Sequence, residues 1–243
     1  MTLPVEFSII IPVFNEAGNI GALIQEVADV LDGRAYEIII VDDGSTDGTR
    51  NQLMRIKQDL PQLRIIAHGE NAGQSRAIRT GAMAARGPII GTLDGDGQND
   101  PADLPELYRI LASANASDKL ALVIGHRQNR QDTPWKRLGS TVGNRLRQLI
   151  LKDDCRDSAC GIKVMPRDMF LALPYFDHMH RYMPALVRAE AYHYLSHPVR
   201  HRKRSAGQSK YDNVGRAWVG LRDMRGVLWL AQRRRVNSSI REL

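Results

Sequence analysis

Within TLDGDGQNDP, residues 92–101, Asp94 and Asp96 stand two apart with Gly95 between them, and Gln98 follows two residues later. At the end of a strand both carboxylates can turn toward one hard cation, with Gln98 adding a further oxygen. Glycine spacers permit the tight backbone that such convergence needs. Magnesium usually takes one or two carboxylates and completes its shell with water and phosphate oxygens, so the pattern suits a nucleotide-diphosphate site. An Asp/Gly-rich turn that holds no ligand is the plain alternative. A second acidic segment, VDDGSTDGT at 41–49, sets Asp42 and Asp43 before a glycine turn, with Ser45, Thr46 or Asp47 available to cap a helix. Carboxylates on adjacent strand ends repel unless a cation or hydrogen-bond donors compensate, and two such ends in one sheet favour a ligand.

These loops need a scaffold. Phe7 to Val13, Glu37 to Asp43, Leu63 to Gly69, Pro88 to Asp94 and Leu120 to Gly125 are short, β-branched apolar runs bounded by turn residues, and predict five strands. Ile20, Leu23, Ile24, Val27 and Leu31 form one helical face, with Asn15 or Asn19 near its start as a cap. Ala77, Ile78, Gly81, Ala82 and Ala85 form a second face of small residues. The alternation predicts an open parallel sheet with helices on both faces, whose ligands bind beyond the carboxyl ends of the strands. Asn15, Glu16, Asp42, Asp43, Asp94 and Asp96 occupy those ends. Beyond about residue 126 the rhythm fails, and the pattern predicts helices over Trp135 to Leu151, Arg181 to Leu195 and Val214 to Gln232. Short strands are expected over Gly161 to Met165 and Pro198 to Arg202.

A chain of 243 residues that is 43% hydrophobic and 25% charged fits one globular domain with a substantial core and excludes disorder. Cys155 and Cys160 match no CxxC pattern; they read as free thiols and exclude a disulfide scaffold. The first residues lack a basic n-region, a long apolar stretch and a cleavage site, so no signal peptide and a reducing cytoplasmic location are expected. No run of eighteen apolar residues occurs, and none of the chain is expected to cross a bilayer. The net charge of +7 hides an asymmetry. Residues 1–125 carry 10 Lys/Arg against 17 Asp/Glu, whereas residues 126–243 carry 24 against 10. A basic second half suits a phosphorylated substrate, an anionic membrane surface or a nucleic acid.

A third segment, IIPVFNEAGNI at 10–20, completes a set. The three segments, in this order and at these spacings, resemble the family 2 glycosyltransferases over residues 7 to about 210. The resemblance implies an α/β GT-A fold, Rossmann-like, with a mainly parallel central sheet flanked by helices. It places Pro12, Phe14, Glu16, Val41 and Asp43 beside the base and ribose of a nucleotide sugar. Asp94, Gly95 and Asp96 would be the DxD element, with Mg²⁺ or Mn²⁺ held by Asp94, Asp96 and Gln98. The second half is most similar to the dolichyl-phosphate mannose synthase and polyprenyl-phosphate glycosyltransferase branch, through DGDGQNDP, DSACGIKVM (157–165) and RSAGQSKY (204–211). By that match Arg127, Arg204 and Lys210 reach the diphosphate or the acceptor phosphate and, with Asp96, form the catalytic set; Arg204 and Lys210 also belong to the donor site. Lys136, Arg137 and Asp157 fall on the acceptor side. The implied organisation is a catalytic domain over 1–211, with a donor half 1–125 and an acceptor half 126–211, followed by an amphipathic helix and basic tail over 212–243.

An inverting transferase acting on a hydroxyl needs a base, and the relevant stretch here, PYFDHMHRYMPALV, offers Asp177, His178 and His180. A phosphate monoester is already ionised near neutral pH, its second pKa being roughly 6, and needs none. The expected reaction is therefore metal-dependent transfer of a hexose from a GDP-mannose or UDP-glucose type donor to a polyprenyl phosphate at the cytoplasmic membrane face. A peripheral helix or a separate membrane protein would bring the two together, with a homo-oligomer as a further option. A hydroxyl acceptor is the second reading. A nucleic-acid-binding module is the third, opposed by an aromatic content of 6% and by the absence of a nucleic-acid motif, so no nucleic-acid partner is expected.

Overall fold

The computed structural model describes residues 4–128, 145, 147–202 and 213–234, apart from the side chains of residues 116 and 213–218. Its strands form one seven-stranded sheet in the order β3-β2-β1-β4-β6-β5-β7. β1 (Phe7–Val13) and β2 (Tyr36–Asp42) are buried along their whole length, as strands covered on both faces must be, and pair in parallel. β3 (Leu63–Ala67) and β4 (Ile89–Thr92) extend the parallel ladder on either side. β5 (Leu120–Arg127) runs the same way, but β6 (Lys163–Pro166) lies antiparallel between β4 and β5. β7 (His193–Val199) closes the edge in parallel with β5.

Helices follow the predicted faces. α1 (Ile20–Val30) buries Ile20, Leu23, Ile24, Val27 and Ala28. α2 (Thr49–Asp59) follows β2, and α3 (Gln74–Ala84) buries Ala77, Ile78, Gly81 and Ala82. The small residues of α3 let it lie close on the sheet: a Cβ on Gly81 would run into Ile10 and sit 3.3 Å from Val41 Cγ2. α4 (Leu104–Ala112), α5 (Arg167–Ala172), α6 (Met183–Ala189) and α7 (Asn213–Arg233) complete the layers. Both cysteines are buried free thiols.

The second half departs from expectation. The helix predicted over Arg181 to Leu195 is only α6; Ala191 turns left-handed at φ 60°, and the chain reverses into β7. That strand covers His193–Val199 rather than 198–202, because its register with Leu120 to Arg127 satisfies the edge of β5. Residues beyond it pair instead with the loop after β4, through the Asn99–His201 bridge and the Arg202 amide on the Gln98 carbonyl at 2.9 Å. Of the helix predicted over 135–151, residues 147–151 are helical and the first ten lie outside the described residues.

Candidate active site

The loop after β1 and the loop after β2 are stitched together. Asn15, at φ 55°, accepts the Thr46 amide at 2.7 Å and the Asp47 amide at 3.3 Å, and its own amide donates to Ser45 Oγ at 2.9 Å. The Glu16 amide donates to Thr49 Oγ1 at 2.9 Å. Asn15 thus caps a neighbouring loop rather than α1. Asn19 holds the N-cap position of α1 without a side-chain cap bond, and its Nδ2 donates to Glu16 at 2.7 Å. Asp47 accepts the Thr49 amide at the start of α2, whose N-cap is Gly48. Phe14 and Glu16 keep part of their surface at the cleft; Pro12 and Val41 are buried, and Val41 faces Gly81 of α3.

Asp43 is buried and satisfied from the loop before α3. Its Oδ1 accepts the Ala72 amide at 2.9 Å and lies 2.7 Å from His68 Nδ1, while its Oδ2 accepts the Gly73 amide at 2.8 Å. His68 Nε2 meets Thr80 at 3.0 Å. The neighbouring Asp42 is paired with Arg50 at 2.9 Å. The second acidic strand end therefore organises the loops of the cleft.

Asp94 and Asp96 are different. Beyond the end of β4, Asp94 accepts from Gln74 Nε2, on the first turn of α3, at 2.7 Å. Its carboxylate rests against Gly161, where a Cβ would overlap Oδ2 and lie 2.6 Å from Asn99 Oδ1. Burial, then the charge of Asp96, pushes the Asp94 carboxyl up to about 6 against the opposing pull of Lys163, Arg127 and Gln74. Asp96 shapes the turn by accepting the Gln98 amide at 3.1 Å. Gly95 is required here, since a Cβ would come within 2.8 Å of Val13 Cγ1 and 2.9 Å of the Pro12 carbonyl. Two repelling, half-buried carboxylates fit a divalent cation, which would relieve the cost of keeping both charged. Among the described residues no three His, Cys, Asp or Glu side chains converge on a metal. A cation at this edge would thus draw on two carboxylates, an amide oxygen and oxygens of a ligand.

Arg127, at the end of β5, is held by Asp157 in a two-pronged pair, Nε and Nη2 each at 2.7 Å from a carboxylate oxygen, and its amide also donates to Asp157 at 3.2 Å. Lys163, which the sequence reading passed over, begins β6 opposite Thr92 and is 3% exposed. Its ammonium donates to the Cys160 carbonyl, and burial holds it below the usual lysine range. The segment CGIK, 160–163, was the available signal, since a buried lysine two residues from a glycine needs a reason. Gln74 carried no signal, because an amide on a helix start is common. Asp100, also buried, pairs with Arg202 at 2.7 Å and fastens the chain beyond β7 over the loop after β4.

His178 and His180 flank and enter a short 3₁₀ turn, Met179–Arg181. His180 is buried against Ser75 Oγ at 2.7 Å, and His178 Nδ1 lies 3.1 Å from Asp223 of α7. Asp177 Oδ1 lies 3.4 Å from where a Cβ on Gly73 would be, beside the start of α3. Lys136, Arg137, Arg204 and Lys210 lie outside the described residues.

The sequence profile described as Glycosyl transferase family 2 matches residues 8–173, more than half of the chain. The chain belongs to this family. It is a glycosyltransferase of family 2, and the match spans the acidic strand ends of β2 and β4. Dodecaprenyl-phosphate galacturonate synthase of Rhizobium johnstonii is 32% identical over 230 residues, spanning 92% of this chain and 67% of the relative. Among solved structures, glucosyl-3-phosphoglycerate synthase from Mycobacterium tuberculosis with Mn²⁺, UDP and glucosyl-3-phosphoglycerate superposes with a TM-score of 0.70 at 16% identity. That match covers 93% of this chain and 80% of the other. The same enzyme with Mg²⁺ and UDP also gives 0.70 at 16% identity, covering 93% and 79%. The fold of this family 2 glycosyltransferase is GT-A, mixed α/β with a mostly parallel sheet.

Proposed function

We propose that this glycosyltransferase moves a sugar from a nucleotide-diphosphate donor to a polyprenyl phosphate, with inversion at the anomeric carbon. The observation that carries this reading is the Asp94–Asp96 edge, two half-buried carboxylates that repel each other at the mouth of a sheet in which β5 ends in Arg127. The acceptor class rests on the relative of 32% identity, whose name joins a dodecaprenyl phosphate to galacturonate. The donor is of the GDP-mannose or UDP-glucose type, and that name extends the sugar class to hexuronates.

In this reading Phe14, Glu16 and the loop around Asp43 receive the base and ribose. Asp94, Asp96 and Gln98 would hold Mg²⁺ or Mn²⁺, and the ion, when bound, would supply Lewis-acid stabilisation of the diphosphate. Support for the metal comes from the neighbours crystallised with Mn²⁺ or Mg²⁺ and UDP. Gln74 and Gly161 keep the Asp94 carboxylate aimed. Arg127, with Arg204 and Lys210, offsets the repulsion between donor and acceptor phosphates so that they approach in line. An acceptor phosphate oxygen forms the new bond to the anomeric carbon as the bond to the nucleoside diphosphate breaks. No proton need be removed from an acceptor already ionised.

The decisive experiment incubates the protein with Mg²⁺ or Mn²⁺, UDP- and GDP-sugars and undecaprenyl phosphate in detergent, and follows sugar into the organic phase. An acid-labile lipid-linked sugar is the expected product. Sugar transferred to a hydroxyl acceptor and none to the lipid phosphate overturns the acceptor assignment. That second reading has one observation in its favour, the exposed Asp177 beside Gly73, and predicts that Asp177→Asn abolishes turnover with donor binding intact.

A further inference from the structure

Sequence periodicity put Trp218, Leu221, Met224, Leu228 and Trp229 on one apolar side of the last helix. The structure turns that helix differently. Met224 and Val227 of α7 are buried in the core, at 8% and 2% exposure, whereas Trp229 is 58% exposed. Val219, Arg222, Arg225, Gly226, Trp229 and Arg233 are all exposed and, at 3.6 residues per turn, fall within an arc of about 120°. This outward stripe carries three arginines and no acid. The acid of the same stretch, Asp223, is turned inward onto His178. The Arg233 guanidinium lies 5.8 Å over the Trp229 ring.

Two further features bear on what meets this stripe. The middle of the helix packs on the turn that faces the start of α3: Tyr182 donates to the Gly220 carbonyl at 3.0 Å, His178 meets Asp223, and His180 of the same turn meets Ser75. A crevice of about 300 Å³ opens along its inner edge, lined by Leu186, Ala189, Leu230 and Ala231, with Arg233 at its side and Arg234 paired there with Glu190. Arginines around an exposed tryptophan match the headgroup level of an anionic bilayer, cation to phosphate and indole to the interface.

We propose that the Arg222, Arg225, Trp229 and Arg233 stripe of α7 docks on an anionic phospholipid surface and so brings the mouth of the site to its lipid substrate. The proposal rests on the polyprenyl-phosphate reading for its purpose, but its test does not. No helix among the described residues is long and apolar enough to cross a membrane, and docking supplies a route to a bilayer acceptor without one.

Co-sedimentation with vesicles of phosphatidylcholine alone, or mixed with phosphatidylglycerol, reads the docking directly. Binding to the anionic vesicles only is expected, weakened at least about tenfold in the Arg222→Gln, Arg225→Gln, Arg233→Gln triple variant. All three side chains are exposed, so the variant folds, and an unchanged melting curve verifies it. In a protein carrying Trp135→Phe and Trp218→Phe, the remaining Trp229 emission should shift to the blue on anionic vesicles. Binding that is absent, equal on both vesicle types, or undiminished in the triple variant overturns the proposal, as does preferential capture of duplex DNA by the same stripe. Transfer to a short-chain polyprenyl phosphate in free solution separates the two readings. Its absence in a vesicle-binding protein refutes the acceptor assignment alone, and its persistence in a triple variant that no longer binds vesicles supports both.

Discussion

The space a Cβ on Gly161 would take is filled by the carboxylate of Asp94, so that the segment leading into β6 and the segment leaving β4 meet through a residue with no side chain. Gly161→Ala would drive a methyl group into Oδ2 and toward Asn99 Oδ1. We expect a stability loss of about 1–3 kcal/mol and a loss of metal-dependent nucleotide binding. Adding Asp94→Ala to Gly161→Ala should restore much of the stability and none of the binding. Denaturant melts of the two single variants and the double variant measure this coupling, and strictly additive losses would refute the contact.

Asp94→Asn should stabilise the metal-free protein. The folded-state carboxyl is raised from 3.8 to about 6, so the folded protein holds that proton more tightly than the unfolded chain. The resulting penalty is absent below about pH 4, grows as pH rises through about 6, and is complete above it. An amide removes it, for a gain of up to about 3 kcal/mol at pH 8. The same variant should lose the rise in Tm that Mn²⁺ with nucleotide produces. Urea melts at pH 4 and pH 8 give the test, and an equal effect at both would be the wrong outcome.

Arg127 and Asp157 form a fork whose side chains are 15% and 5% exposed. Breaking a largely buried pair leaves the partner charge uncompensated, so Asp157→Asn should cost about 2–4 kcal/mol. Arg127→Lys keeps the charge but cannot make two parallel bonds. It should therefore lower kcat more than it raises the KM for the nucleotide sugar, since the proposed role is exerted when both phosphates are present. Equal effects on both constants would confine Arg127 to donor binding.

Burial, followed by the charges of Lys163, Arg181 and His178, holds the His180 imidazole well below 6.5. The folded protein refuses a proton that the unfolded chain accepts. Stability is complete above about pH 6.5 and falls as pH drops below it, by at most about 1.4 kcal/mol per pH unit. His180→Gln still offers Ser75 a hydrogen-bond partner and should flatten that fall between pH 6.5 and 5. An unchanged slope in the variant would assign the acid sensitivity elsewhere.

The β1-to-β4 half was readable because its signals are local. Phe7 to Val13 is a strand buried on both faces, and a continuous β-branched run announces that directly. β7 gave no such announcement: HYLSHPV lies on the sheet edge with most of its residues exposed or half-exposed, and its helical neighbour masked it. Asp94 and Asp96 were legible from spacing. Gln74 and Gly161 were not, because they reach Asp94 from 20 and 67 positions away in the chain, and only the sheet order brings them together. The orientation of α7 was likewise beyond periodicity, since Met224 and Trp229 are both apolar and only packing against α6 decides which turns inward.

The chain leaves the sheet at Arg127 and is gripped again at Asp157, thirty positions later, by that same arginine. The two ends of this excursion are thus fastened to each other, and the described residues before Asp157 add anchors of their own: Cys155 lies in the core, and the Asp153 carbonyl accepts from Tyr194 of β7. Lengthening a closed loop costs only about 0.6 kcal/mol for each doubling. With both ends tied by one arginine, an insertion between Arg127 and Arg147 should leave the carboxylate edge in place, whereas one between Arg147 and Asp157 would break into buried contacts. Under the proposed acceptor-side role of this stretch, a change of length there would alter acceptor preference and leave nucleotide binding as it was.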